Sequence, residues 1–216
     1  MVRYTVPRML GVFLPTCAAA VLCALAVLGP VRAGGGSPIA QADNSLTGQF
    51  LVATETLRDP RFTRTVIYMV RHDASGALGL IVNRPVRDVP LAPLLRQLGL
   101  DDQGVGGTIR LHYGGPVDGA RGLMLHTAEY ATEGTERVAG DIAVTSRPEV
   151  LRDIGHGAGP RRFLFALGYA GWAAGQLERE IDNGAWITVP ADETLLFDDD
   201  HTRKWDRAMS RRRLTI

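Results

Sequence analysis

The chain's two cysteines, Cys17 and Cys23, both lie near its N-terminus, and none follows them. Whatever folds downstream is therefore held by buried apolar surface and hydrogen bonds, without disulfides, thiolate chemistry or cysteine-ligated zinc. With 216 residues, 45% hydrophobic and 22% charged, the chain has material for one sizeable core.

Residues 1–33 differ from the rest. Arg3 and Arg8 precede an almost uncharged run from Met9 to Gly29, and the first acidic residue is Asp43. A basic segment ahead of an apolar one is the pattern of an export leader, and the run also suffices for one membrane span of about 20 residues, weakened by Pro15. Val31-Arg32-Ala33 and Ala40-Gln41-Ala42 both offer the small residues of a cleavage site. Three readings stay open: a cleaved signal peptide, a retained anchor, or translation that starts later. Under the first two the domain is exported or held at the inner membrane, with membrane contact only through the leader. Residues 34–44, rich in Gly, Ser, Pro and Ala, read as a flexible linker, 45–210 as one domain and 211–216 as a basic tail.

Without the three leader arginines, 21 basic residues face 23 acidic ones, so the domain lacks the positive footprint of a nucleic-acid binder. Arg211-Arg212-Arg213 reads as a solvated tail. Strands are expected over Gln49–Ala53 and Arg64–Arg71, then over Ala77–Pro85, the last two joined as a hairpin through Asp73-Ala74-Ser75-Gly76. Leu91, Leu94, Leu95 and Leu98 have helical spacing, closed by Gly99. Further strands are expected at Ile109–Tyr113, Gly122–His126 and Ile142–Val144. Ser146 with Glu149 three residues on, and Pro148 between them, reads as a capping box opening a helix that Gly155 stops.

The stretch "RRFLFALGYAGWAAGQLEREI" reads as a buried strand feeding a helix "GWAAGQLEREI". On that helix Ala170, Ala174, Leu177 and Ile181 would share a seam, and Trp172 would face away beside Arg179, covered by the segment Trp186–Pro190 or by a ligand or partner. Gly168, Gly171 and Gly175 match neither the dinucleotide fingerprint nor a P-loop, so close packing is the favoured use of the glycines. An anion at the helix N-terminus is the alternative.

Raw material for acid, base or nucleophile is present in His72, His112, His126, Asp59, Asp73, Asp192 and Ser146, yet these form no recognised set. There is no G-x-S-x-G elbow and no H-E-x-x-H, so no cofactor, no metal and no catalytic residue is assigned. His112 and His126, on separate strands, are set against ordinary hydrogen-bonded histidines as a metal pair. Asp59 reads as a turn residue and Asp192 as a helix cap.

"LTGQFLVATETLRDPRFTRTVIYMVRHDASGALGLIVNRP", "GGPV", "LMLHT", "TS", "ALGYAGWAAGQLEREI", "NGAWITVPAD" and "LLF" follow one another over Leu46 to Trp205. In order and spacing they resemble the YqgE/AlgH family of bacterial proteins. The resemblance implies an α+β fold, a single domain with an irregular, mostly antiparallel bifurcated β-sheet surrounded by helices. It also implies a regulator label, no established catalytic residues and, taken alone, a cytoplasmic location. Relative to that family, this chain adds the leader and has a shorter, more charged end.

The function expected is that of a non-enzymatic binding or regulatory protein with a small ligand or a protein partner; a hydrolase acting on a small substrate is the alternative. Candidate binding residues sit in loops after strands or on the glycine-rich stretch: Asn83, Arg84, Gly114, Gly115, His126, Tyr169 and Trp172. Gly114 and Gly115 serve either backbone approach by a ligand or turn geometry alone.

Overall fold

A computed structural model describes residues 45–212, so the leader, the linker and residues 213–216, with the expectations attached to them, lie outside the described residues. Among the described residues no helix is long and apolar enough to cross a membrane.

The fold begins with β1 (Gln49–Ala53), in which Phe50 and Val52 enter one core while Leu51 and Ala53 enter another. A strand buried on both faces reads as one apolar run, as "FLVA" does. Asp59 then caps a single 3-10 turn, Pro60–Phe62, by accepting from the Arg61 N–H at 2.9 Å. The expected hairpin is present as β2 (Val66–Asp73) and β3 (Gly76–Ile81). The proline-flanked segment Pro85–Pro90, which carried no expectation, forms β4, an edge strand that leads into α1 (Leu91–Gln97). Prolines at both of its ends are compatible with an edge, where a missing N–H interrupts no inner ladder.

Then follow β5 (Thr108–Tyr113), β6 (Val117–Thr127), β7 (Thr135–Ala139), β8 (Ile142–Thr145), α2 (Glu149–Gly155) and β9 (Phe163–Ala173). The chain closes with α3 (Gln176–Asp182), β10 (Trp186–Pro190), α4 (Glu193–Leu196) and α5 (Lys204–Arg211). The strands form one sheet in the order β10-β1-β2-β3-β9-β6-β8-β7, with β5 on β9 and β4 on β5 as a branch. All pairings are antiparallel except β5 with β9. The α+β class and the bifurcated sheet are thus present.

One core lies under α4 and α5 around Phe50, Tyr68, Leu125 and Trp205. A second, around Met69, Trp172 and Trp186, is closed by Leu177 of α3. A third, between α1, α2 and the β5-β9-β6 face, contains Leu95, Met124, Leu151 and Phe165.

The glycine-rich stretch corrects the sequence reading. Residues 170–173 are strand, paired with Gly76–Gly79 of β3, and the helix starts only after Gly175, whose φ is 70°. Burial alternates along the pair, with Ala170 and Trp172 inside and Gly171 and Ala173 outside, so the period is two. The expected seam is consequently split between a strand and a helix, with Ala174 exposed. Trp172 is covered by this chain's own Trp186, the rings crossing edge to face with centroids 5.9 Å apart. Both indoles donate to the same oxygen of Glu180, at 3.0 and 2.8 Å, and Gln176 donates to the other.

Ser146 is not a helix cap. Pro148 occupies the N-cap of α2, and its carbonyl accepts from Leu151, which leaves Ser146 two residues too early to reach the open N–H groups. Asp192 does cap, taking the Leu195 N–H of α4 at 2.9 Å. Arg211, assigned to the basic tail, is the last residue of α5 and ion-pairs with Asp192.

Two outcomes follow for equilibrium urea unfolding. Trp172→Ala removes a core side chain and leaves Glu180 short of a donor, so it should lower stability by about 3–5 kcal/mol. Ser146→Ala, at an exposed non-capping position, should change it by less than about 0.5 kcal/mol.

Candidate functional site

Most of the residues singled out from sequence are occupied by the fold itself. Asn83 accepts from the Val66 N–H and donates to the Arg64 carbonyl, both at 2.9 Å, clamping the bend where Arg64 takes a φ of 52°. Arg84 donates to the Thr63 carbonyl. Gly114 and Gly115 lie against β9: a Cβ on Gly114 would stand 2.2 Å from the Gly168 oxygen, and one on Gly115 2.1 Å from the Tyr169 carbonyl carbon. Backbone contact there excludes any side chain. His126 is fully buried, with one ring nitrogen on the Thr127 carbonyl and the other on the Thr145 hydroxyl at 2.8 Å. Trp172 is core, and His72 bonds the Leu46 N–H and Glu178.

Tyr169 is different. It lies at a notch in the sheet, formed because β6 outruns its partner: the β6–β8 ladder stops at Met124 with Thr145, while β6 extends back to Val117. Its register against β9 shifts between Val117 and Gly122, and Asp118 in that stretch takes a φ of 48°. Arg121 and Ser146 flank the notch, and each borders two cavities on opposite faces of the sheet.

The first cavity, about 320 Å³, lies between the β6-β9 face and the helices, walled by Leu94, Leu98, Met124, Val150, Phe165 and Leu167. Leu98 stands at its mouth with 46% of its surface exposed. The second, about 300 Å³, is walled by Val70, Leu78, Leu123 and Val144 and carries Arg71, Arg121, Glu136, Ser146 and Tyr169. Strand alternation makes the difference, since Leu123 and Val144 point to one face and Met124 to the other. Both volumes are at the lower end of the roughly 300–1,000 Å³ typical of ligand sites.

Sequence reasoning missed Arg121 and gave Ser146 a different task. "DGARG" carries no motif, and the relevant signal is a strand longer than its neighbour, which only the pairing reveals. The Ser146 hydroxyl has no hydrogen-bond partner among the described residues, and so lacks the hydrogen-bonded base that marks an activated nucleophile.

A second polar group lies elsewhere. His112 on β5 and His201, in the loop before α5, cross edge to face at 5.0 Å, and all four of their ring nitrogens are buried without a hydrogen-bond partner among the described residues. Lys204 is fully buried beside them, donating to the carbonyls of Val82 at 3.1 Å and Leu196 at 2.9 Å. His112 and His126, weighed from sequence as a metal pair, have separate partners, and no cluster of three or more metal-ligating side chains occurs among the described residues.

Burial, and next the neighbouring His201, push the His112 imidazolium down to about 4 from an ordinary 6.5. Burial likewise lowers His201, and takes Lys204 down to about 8. The unfolded chain binds the His112 proton near 6.5 and the folded one only near 4. Stability from this group is therefore whole above the first value and falls as pH drops through the interval, by at most roughly 3 kcal/mol. His112→Leu should flatten that part of the stability profile in urea titrations; an unchanged slope would remove His112 as its source.

Comparison with known proteins places the chain in a family. An AlgH-like family model matches residues 50–216. A UPF0301 protein of Rhodospirillum rubrum is 44% identical over 166 residues, covering 77% of this chain and 86% of that one. One from Afipia carboxidovorans is 42% identical over 174 residues, covering 77% and 83%. The solution structure of the AlgH protein from Pseudomonas aeruginosa is similar with a TM-score of 0.66 at 38% identity, over 80% of this chain and 90% of that one. A crystal structure of a Corynebacterium diphtheriae protein, 21% identical with a TM-score of 0.61 over 76% and 86% of the two chains, shares the fold. By sequence and by fold, the chain belongs to the AlgH-like family.

Proposed function

We propose that this protein is a non-enzymatic binding protein, and that its ligand enters the apolar cavity between α1, α2 and the β6-β9 face. One observation carries the reading: Leu98, Met124, Phe165 and Leu167 wall an apolar cavity of about 320 Å³ that the described side chains leave unfilled, with Arg121 and Ser146 of the notch at its border. Open apolar volume of this size in a close-packed protein forgoes contacts that a ligand restores. The polar groups at its rim suit recognition better than turnover, because Ser146 has no hydrogen-bonded base among the described residues and Arg147 is engaged with Glu133. Tyr169, among the seven residues chosen from sequence, is the one that borders the notch.

The full-length protein should bind the neutral apolar dye N-phenylnaphthylamine with a rise in its fluorescence. Ala120 is exposed at the cavity rim, so Ala120→Phe should fill the space without touching the core and weaken dye binding about tenfold or more. A dye that stays dark with the wild-type protein would sink the proposal.

A further inference from the structure

We infer that the notch joins the two cavities into one bipartite site, and that its ligand is an amphiphile with an acidic head and an apolar chain. The inference rests on the binding reading above and adds the class of molecule.

Three polar side chains with no hydrogen-bond partner among the described residues, Arg121, Ser146 and Tyr169, converge on the second cavity. Among the domain's other arginines, Arg61, Arg64, Arg96, Arg110 and Arg207 all hold carboxylates. A guanidinium and two hydroxyls together match the acceptor oxygens of a carboxylate or phosphate ester. The local charge agrees, since Arg71 and Arg121 face the single carboxylate of Glu136, and Arg71 is only loosely held by Asp73 at 3.7 Å. On the apolar side the charge of Arg147 is compensated by Glu133, so nothing there competes with Arg121 for the head group.

Arg121 and Ser146 border both cavities, and the β6–β8 ladder has already ended between them, so a chain passing from one face to the other breaks no inter-strand hydrogen bond. The head would sit with Arg121, Tyr169 and Ser146, and the chain against Met124, Phe165 and Leu98. A free soluble amphiphile fits better than a lipid in a bilayer, because the apolar chamber is walled on several sides by α1, α2 and the sheet and is not an exposed face.

Octanoate and octanol differ in the head alone, and their competition with N-phenylnaphthylamine on the full-length protein tests the inference. Octanoate should displace the dye about tenfold more effectively than octanol, the size of a charge-assisted bond. Arg121→Gln should bring the two to parity while the far-ultraviolet circular dichroism stays unchanged; Arg121→Lys should restore part of the preference. Tyr169→Phe and Ser146→Ala, should Arg121→Gln not fold, are each expected to narrow the preference about threefold. Equal displacement by octanoate and octanol overturns the acidic head and leaves the apolar binding site standing. Failure of both competitors together with a dark dye overturns both readings. A preference for octanoate that survives Arg121→Gln overturns the assignment of the head group, and binding only to phosphatidylglycerol vesicles overturns the choice of a free amphiphile.

Discussion

Backbone contact between glycines holds the sheet together where it forks. Gly114 donates to the Leu167 carbonyl at 2.8 Å and accepts from the Ile81 N–H at 2.9 Å, so the end of β5 is tied to β9 and β3 at once. The first half of β9 pairs with β5, the second half with β3, and Gly168 lies between them. A Cβ on Gly168 would stand 2.5 Å from the Gly115 oxygen, the reciprocal of the contacts made at Gly114 and Gly115. No other residue type fits at these three positions without separating the strands. A binding role for Gly114 and Gly115 is unnecessary to explain them.

Gly168 also changes which face each residue of β9 presents. Before it, Phe165 and Leu167 point to the α1–α2 core and Leu164 and Ala166 to the core under α4 and α5. Its φ of 72° breaks the alternation, and Tyr169 then packs on the side where Leu164 and Ala166 lay. Without this change Tyr169 would follow Phe165 and Leu167 to the apolar chamber, and the second cavity would lose its phenol. The matching irregularity in β6, between Val117 and Gly122, supplies the length that outruns β8. Fork and notch are thus two results of one distortion in paired strands.

This accounts for what the sequence could and could not tell. β1, the β2–β3 hairpin, α1, β5, β8 and the Asp192 cap depend on neighbours within a few residues, and the local pattern located them. The second half of β9 failed because "GYAGWAAGQLEREI" offers small residues and a charged end at helical spacing, while its partner β3 is nearly a hundred positions earlier in the chain. Long-range pairing overrides propensity there. Ser146 failed because Pro148, accepted as a first-turn residue, occupies the cap itself. Arg121 was invisible for a different reason: a site made by two strands of unequal length leaves no motif in either.

The C-terminal segment adds a constraint of opposite character. Lys204 reaches between β3 and α4, Trp205 donates to the Ala53 carbonyl at 2.8 Å, and Arg64 lies 4.1 Å over the Trp205 ring while pairing with Asp206. These contacts close the core that contains Tyr68 and Leu125. They do so beside two imidazoles with unpartnered nitrogens, an arrangement whose cost grows once either ring is charged next to the ammonium. The acidic residues nearest to them give little relief, because Asp88 is committed to Arg110 and Asp199 is 93% exposed. Closure of the fold over β5 therefore depends on His112 and His201 staying neutral, whereas the notch, on the far side of β9 from β5, is built from side chains that remain free to meet a charge.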